Sequence, residues 1–325
     1  MVSLHLDDFL AVGIDAQIKW FCTRLAARFK IKREPASLYL NIKIERGVGG
    51  SVTFDQKHYI QKMAQEFKME EAKAHHMPLS KGDMEAMKDP GPDNPPLQAQ
   101  AHTLYRKIVG NLMYAMVCTR PDIAFSVCLL GRYAASPTTL HLAVAKKVLR
   151  YVITSQDLRM HYSGNRKVPG VTLHGYIDSD WAESDNSRKS TTGFVMFFNS
   201  SLVGWCSKKQ QQVARSTAVA EYLALYKAAL ELISSRCLLA DLGYPQTNRS
   251  LVREDNTTCI RMTREDALHK RTKHIDVRYH FTKEEITKGN LMVKHVSSES
   301  NLADTLIKPL PRERFEALSK LLGLF

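Results

Sequence analysis

The sequence predicts an α/β domain over residues 165–325, with helices packed on a central mixed sheet. Two observations predict it: three consecutive short segments rich in Val, Phe, Tyr and Ile beginning near Val171, and the alternation of helical and extended segments after them. Val171–Asp178, Thr192–Phe198 and Leu202–Ser207 are separated by polar turns and read as three antiparallel strands. A long helix over Thr217–Leu242 follows, with Tyr222, Leu225, Ala229 and Leu232 on one stripe and Gly243 as its stop. Leu251–Asp255 then reads as a strand, Arg271–Lys288 as a helix, Leu291–Val296 as a strand and Arg312–Leu322 as a final helix. The resulting order is β-β-β-α-β-α-β-α.

Upstream the texture differs. Residues 1–80 mix short apolar segments with basic, helix-like ones. Residues 81–103 gather Pro90, Pro92, Pro95 and Pro96 beside Asp89, Asp93 and Asn94, which predicts an exposed connector. Residues 104–164 are helical in character: Ile108, Leu112 and Ala115 recur at helical spacing and Pro121 marks a break. A further helix over Thr139–Ile153 carries Leu142, Ala145, Leu149 and Val152 on one face and Lys146, Lys147 and Arg150 towards solvent.

At 325 residues and 44% hydrophobic, the chain is long and apolar enough for two folded domains. No apolar run approaches the ~20 residues of a membrane-spanning helix, and Asp7 and Asp8 interrupt the apolar N-terminus, so an intracellular protein, neither secreted nor membrane-bound, is expected. Cys22, Cys118, Cys128, Cys206, Cys237 and Cys259 lie far apart without C-x-x-C or zinc spacing, and read as small buried residues or free thiols. The net charge of +13 favours a polyanionic partner such as nucleic acid, although a basic surface alone is weak evidence.

Four carboxylates fall at informative places. Asp178 ends the first strand, Glu221 opens the long helix, Asp255 ends the fourth strand and Asp304 lies beyond the last. Neighbouring strands would bring Asp178 and Asp255 side by side at one sheet edge, within reach of Glu221 and Asp304. Clustered carboxylates persist mainly when cations neutralise them, and hard oxygen ligands select Mg²⁺ or Mn²⁺. Two such ions can activate a water and stabilise the leaving oxygen of a phosphodiester. From spacing alone, solvated loop acids remain the alternative.

The segments Gly175-Tyr176-Ile177-Asp178-Ser179-Asp180-Trp181-Ala182 and Arg188-Lys189-Ser190-Thr191-Thr192-Gly193-Phe194 resemble the opening of the RNase H domain of copia-type LTR retrotransposon Pol polyproteins. The resemblance continues through Trp205-Cys206-Ser207-Lys208-Lys209-Gln210, Ala220-Glu221-Tyr222, Asp255-Asn256, Arg271-Thr272-Lys273-His274-Ile275-Asp276, Leu302-Ala303-Asp304 and Lys308-Pro309-Leu310. Upstream, Tyr105-Arg106-Lys107-Ile108-Val109-Gly110-Asn111-Leu112 and Thr119-Arg120-Pro121-Asp122 are similar to the segment joining polymerase to RNase H, and Leu40–Glu45 and Gln56–Ile60 to the thumb side. It implies a truncated reverse-transcriptase palm end and thumb (1–80), a Pro-rich linker (81–103), a helical connection (104–164) and an RNase H-like five-stranded domain (165–325). It also implies that Asp178, Glu221, Asp255 and Asp304 hold two Mg²⁺ or Mn²⁺ ions and hydrolyse the RNA strand of an RNA/DNA hybrid, recognised by 2′-hydroxyls and minor-groove shape. Lys208, Lys209, Arg215, Lys270, Arg271 and Lys273 suit the hybrid's phosphates, and each is as readily a solvated charge.

Departures from the family pattern are specific. His5-Leu6-Asp7-Asp8 resembles the Y-x-D-D turn of reverse transcriptases with His in place of Tyr, and the remainder of the palm is absent, so Asp7 and Asp8 are expected to be a remnant without DNA synthesis. Residues 1–78 are expected to be loosely folded or to associate through exposed apolar surface, with other Pol fragments as possible partners. Val219 stands where an extra Glu is frequent, Glu254 where an apolar or Cys residue is common, and Thr305-Leu306-Ile307 replaces Ile-Phe-Thr. An inward-pointing Glu254 would raise the local negative charge. Asp180 shares the Asp178 face by period two and is expected to be structural, as is His295; His274, Asp276 and His280 read as fold-supporting polar groups. The rival to a nuclease is a non-catalytic transposon relic or a repurposed nucleic-acid-binding protein.

Overall fold

The computed structural model describes residues 1–164, 172–181, 188–264 and 276–325. Its C-terminal half is built on a five-stranded mixed sheet of β7 (Leu173–Asp180), β8 (Thr191–Phe198), β9 (Ser201–Lys209), β10 (Ser250–Glu254) and β11 (Leu291–His295), in the order β11-β10-β7-β8-β9. β7, β8 and β9 pair antiparallel, β8 and β9 through a two-residue turn, whereas β10 lies parallel to both β7 and β11. Two parallel pairings require crossovers, and helices supply them. Helix α7 (Thr217–Asp241) connects β9 to β10; α8 (Thr257–Met262) and α9 (Asp276–Thr287) lie between β10 and β11. A last helix, α10 (Arg312–Leu321), closes the chain.

This is the RNase H-like topology expected of the sequence, with expected strands displaced by only one or two residues. The short helix α8 was not anticipated. It starts where the buried-face alternation of β10 ends, and Asn256 caps it by accepting from the Thr258 and Cys259 amides, each at 3.0 Å. Residues 271–275 of the helix expected over Arg271–Lys288 lie outside the described residues.

The first 164 residues form an α+β assembly. A hairpin of β1 (Val2–His5) and β2 (Asp8–Ala11) precedes helix α1 (Asp15–Ala26). Strands β3 (Leu38–Tyr39), β4 (Ile42–Arg46) and β5 (Val52–Asp55) then make an antiparallel sheet completed by β6 (Met160–Tyr162) from much later in the chain. Helices α2 (Lys57–Glu66), α3 (Lys81–Lys88), α4 (Ala99–Cys118), α5 (Ala124–Arg132) and α6 (Thr139–Thr154) complete it. The hairpin and α1 match the expectation of loose packing, since α1 buries none of its residues and leaves Ile18 only partly covered and Trp20 exposed. Residues 52–78 do not, because Ile60, Met63 and Ala64 of α2 are buried in the main core.

Of the expected exposed connector, residues 89–98 are exposed or half-buried, whereas its two ends are helical. Residues 81–103 begin with α3, closed by a capping box in which Ser80 and Asp83 satisfy each other's amides, and Met84 and Met87 of that helix are buried. The Pro-rich stretch beyond it is tied down, with the Leu97 amide donating to Pro137 O at 2.9 Å.

One core crosses the expected domain boundaries. Tyr105, Ile108 and Leu112 of α4, Leu129 and Leu130 of α5 and Val148 and Leu149 of α6 pack in one cluster with Val195, Phe197 and Leu202 of the five-stranded sheet and with Leu306, Phe315, Leu318 and Leu322. The opposite sheet face makes a second core with α7, through Ile177, Phe194, Val252, Tyr222 and Leu225. The five-stranded sheet is thus sandwiched between α7 and the helices contributed by residues 99–154.

Candidate metal and nucleic-acid site

Strand register assembles the site. β10 runs parallel to β7 with Val252 opposite Gly175 and Arg253 opposite Tyr176, and continuing that register sets Asp255 beside Asp178 at the carboxyl edge of both strands. Glu221 comes from the first turns of α7, whose N-terminus is capped by Ser216 accepting from the Val219 amide. Buried Gln210 fixes that turn to the sheet, donating through Nε2 to Thr192 Oγ1 at 3.0 Å and to Ala220 O at 2.9 Å. One carboxylate oxygen each of Asp178, Glu221 and Asp255 then lies within 4.8 Å of the others.

Asp304 reaches the same edge by a different route. It sits in a 3-10 turn over Leu302–Leu306, capped by buried Asn301, which accepts from the Ala303 amide at 3.2 Å and donates through Nδ2 to Ile177 O at 2.8 Å. That second bond pins the turn to β7 one residue before Asp178. The turn also lies against Gly193, the β8 residue opposite Asp178, where a Cβ would meet Ile307 Cγ2 at 2.6 Å and Ala303 O at 3.1 Å. Asp304 is not one of the three clustered acids. Its Oδ1 pairs with Lys308 at 2.5 Å and its Oδ2 with Arg314. Asp304 nonetheless hydrogen-bonds Asp178 and opposes its ionisation.

Burial dominates the electrostatics. It pushes the Asp178 carboxyl up to about 9, helped by the hydrogen bond and charge of Asp304 and the charge of Asp255. Glu221 is pushed up to about 10 by burial and then by the charges of Glu254, Asp178 and Asp255. Glu221 Oε2 is buried without a hydrogen-bond partner. Asp255 is less buried and accepts from Ser298 Oγ at 2.6 Å. A set of hard oxygen donors, mutually repelling and with an orphaned buried oxygen among them, fits Mg²⁺ or Mn²⁺. Among the described residues no other group of three acidic, His or Cys side chains has this geometry.

The remaining candidates fall into place or outside view. Lys208 and Arg215 are exposed and Lys209 is partly buried, at the β9 end and the approach to α7. Lys270, Arg271, Lys273 and His274 lie outside the described residues, as does the Asp276 side chain. His280 is exposed on α9, and His295 is exposed at the end of β11, paired in register with Glu254. Asp180 is the last residue of β7 and stands apart from the three-acid group. Asp7 and Asp8 occupy an exposed hairpin turn in which Leu6 takes a φ of 50°.

Asn301, Gln210, Lys308 and Arg314 had no role assigned from the sequence alone. Asn301 carried a readable signal, an Asn immediately before a helical turn. Lys308, four residues after Asp304, carried another. Arg314 had none, because its approach depends on how α10 folds back.

No helix among the described residues is long and apolar enough to cross a membrane, and all six cysteines are free thiols. No family model matches the chain. Over 331 residues, 100% of this chain, it is 35% identical to the retrovirus-related Pol polyprotein from transposon TNT 1-94 of Nicotiana tabacum, of which it spans 24%. It is 30% identical to the uncharacterized mitochondrial protein AtMg00810 of Arabidopsis thaliana over 234 residues, covering 70% of this chain and 91% of that protein. The solved structure of LC11-RNase H1 isolated from compost is 22% identical and covers 45% of this chain and 96% of its own, with a TM-score of 0.31, a likeness too slight to add to the strand topology. With 35% identity over the whole of its length, the chain belongs to the retrovirus-related Pol polyproteins of copia-type transposons.

Proposed function

We propose that the chain is a metal-dependent ribonuclease H that hydrolyses the RNA strand of RNA/DNA hybrids, with Asp178, Glu221, Asp255 and Asp304 as its acidic set. The convergence of three carboxylate oxygens within 4.8 Å at the carboxyl edge of β7 and β10 carries this reading. Two Mg²⁺ or Mn²⁺ ions held there would neutralise the carboxylates, activate a water and stabilise the leaving 3′ oxygen. The protein's own part is positioning. Asp178 and Asp255 are fixed by paired strands, Glu221 by the Gln210-anchored helix and Asp304 by the Asn301 pin. Lys208, Lys209 and Arg215 would meet hybrid phosphates, so binding should weaken steeply with salt. Lys270, Arg271 and Lys273, outside the described residues, are proposed as phosphate contacts by the family resemblance alone. Asp7 and Asp8 have no part in the reading, and DNA synthesis is not assigned to the chain.

One observation favours the non-catalytic alternative. Asp304 is already neutralised by Lys308 and Arg314. The decisive experiment is cleavage of a labelled RNA/DNA hybrid by the full chain in Mg²⁺, with EDTA and Asp178→Asn as controls. The full chain is required because the core of residues 302–324 includes α4, α5 and α6. Cleavage that needs metal and falls to the EDTA background in the variant supports the nuclease. A folded wild-type chain that binds hybrid without cutting it would establish the alternative.

A further inference from the structure

Glu254 is the last residue of β10 and has no exposed surface. Alternation along the strand places it on the face of Val252, towards α7 and away from solvent. One of its oxygens accepts from the Asn256 amide at 2.8 Å, its carboxyl lies against that of Asp255, and Oε2 has no well-formed hydrogen bond. Glu221 Oε2 is orphaned in the same way, and Glu254 is the charge that opposes Glu221 ionisation most. Buried Cys259, in the helix that follows β10, lies within electrostatic reach of Glu254, Glu221 and Asp255. An unpartnered buried carboxyl costs free energy, and a β10 residue in this position could have been apolar.

We propose that Glu254 belongs to the metal centre as an outer-shell residue, its free oxygen accepting a hydrogen bond from a water of hydration of the divalent cation held by Glu221 and Asp255. Mg²⁺ gives up its waters reluctantly, and each retained water needs an acceptor. Asp304 is a poor acceptor on its own side of the site because Lys308 and Arg314 engage both its oxygens. Glu254 supplies the acceptor on the Glu221 side, where no cationic side chain is paired with either glutamate among the described residues. Glu254 is thereby a positioning residue, orienting hydration and raising affinity without contacting the substrate. The inference rests on the metal-site reading of Asp178, Glu221 and Asp255.

The test measures metal binding directly, by counting free Mn²⁺ in electron paramagnetic resonance and by Mg²⁺ titration calorimetry on the full chain. Wild-type protein should bind, and Asp178→Asn should bind weakly or not at all. Glu254→Gln and Glu254→Leu should each weaken binding by about 10- to 100-fold, with the metal-free melting temperature unchanged or raised, and Glu254→Asp should recover part of the affinity. Wild-type affinity in folded Glu254→Gln overturns the inference, as does an equal loss in all three variants, which would mark a steric role. Either result leaves the three-acid site intact provided wild type binds and Asp178→Asn does not. Absence of binding by wild type would overturn both.

Discussion

Asp178 and Glu221 are acids whose burial and acidic neighbours favour the protonated form. Their folded values of about 9 and about 10 stand far above the ordinary 3.8 and 4.5, so the folded chain keeps protons that the unfolded chain releases. Their contribution to stability is therefore fully present below the ordinary carboxyl range and is lost as pH rises towards the folded values. The metal-free melting temperature is expected to fall between about pH 5 and about pH 9, and saturating Mg²⁺ should flatten that slope. A flat metal-free profile in differential scanning fluorimetry would contradict it. Asp178→Asn should likewise raise the metal-free melting temperature at alkaline pH and leave it nearly unchanged in acid. At this scale much was legible: the places of Asp178, Glu221 and Asp255 followed from strand ends and a helix start. The inward direction of Glu254 was readable from period two along β10. What the sequence could not supply was the pairing of Asp304 with Arg314, because it depends on the return path of α10.

Elements act on the site through their packing. Gly193 lets the turn carrying Asp304 lie directly on β8, and the space for a methyl group is already filled by Ile307, Leu306 and Ala303. Gly193→Ala should therefore displace Asp304 and cost about 1–3 kcal/mol of stability, read by urea unfolding, with hybrid cleavage falling more than affinity for the hybrid. Ser216→Ala tests the other support. Losing the α7 cap should cost about 1 kcal/mol, a shift of the urea midpoint, while β7 and β10 continue to hold their two aspartates. Strands and long helices announced themselves through periodicity, as α7 and β8 show. Short pieces did not: α8 spans less than two turns, and α3 lay inside a stretch whose prolines signalled a loop. In both places a cap, Asn256 or the Ser80–Asp83 box, decided the outcome over composition.

At the scale of the whole molecule the connection helices and the five-stranded sheet fold as partners. A buried network holds the α4–α5 connection to α6: Arg120 donates to Asp122 at 2.9 and 2.7 Å, and the Tyr151 hydroxyl donates to Asp122 at 2.6 Å. Asp122→Ala strands a fully buried guanidinium and should cost about 3–5 kcal/mol. Urea unfolding of the full chain should register that loss in near- and far-ultraviolet circular dichroism alike, because one core serves both halves. Separate transitions would show that the halves unfold independently. Such sharing was illegible in the sequence, where Pro-rich composition pointed to a seam between residues 81 and 103. Long-range packing of α4 and α5 on β8 and β9 leaves no local periodic mark.

The last residues of the chain return to β6, where Arg159 and Phe325 exchange backbone hydrogen bonds at 2.9 and 3.1 Å and the His161 amide donates to Gly323 O at 3.0 Å. β6 is itself a strand of the N-terminal sheet, so the end of the chain is stitched to its beginning half. Cutting the peptide between residues 164 and 172 would leave two polypeptides joined by a common core and by that backbone stitch, eluting together from a sizing column. Cleavage there would change the number of chains without changing the number of particles.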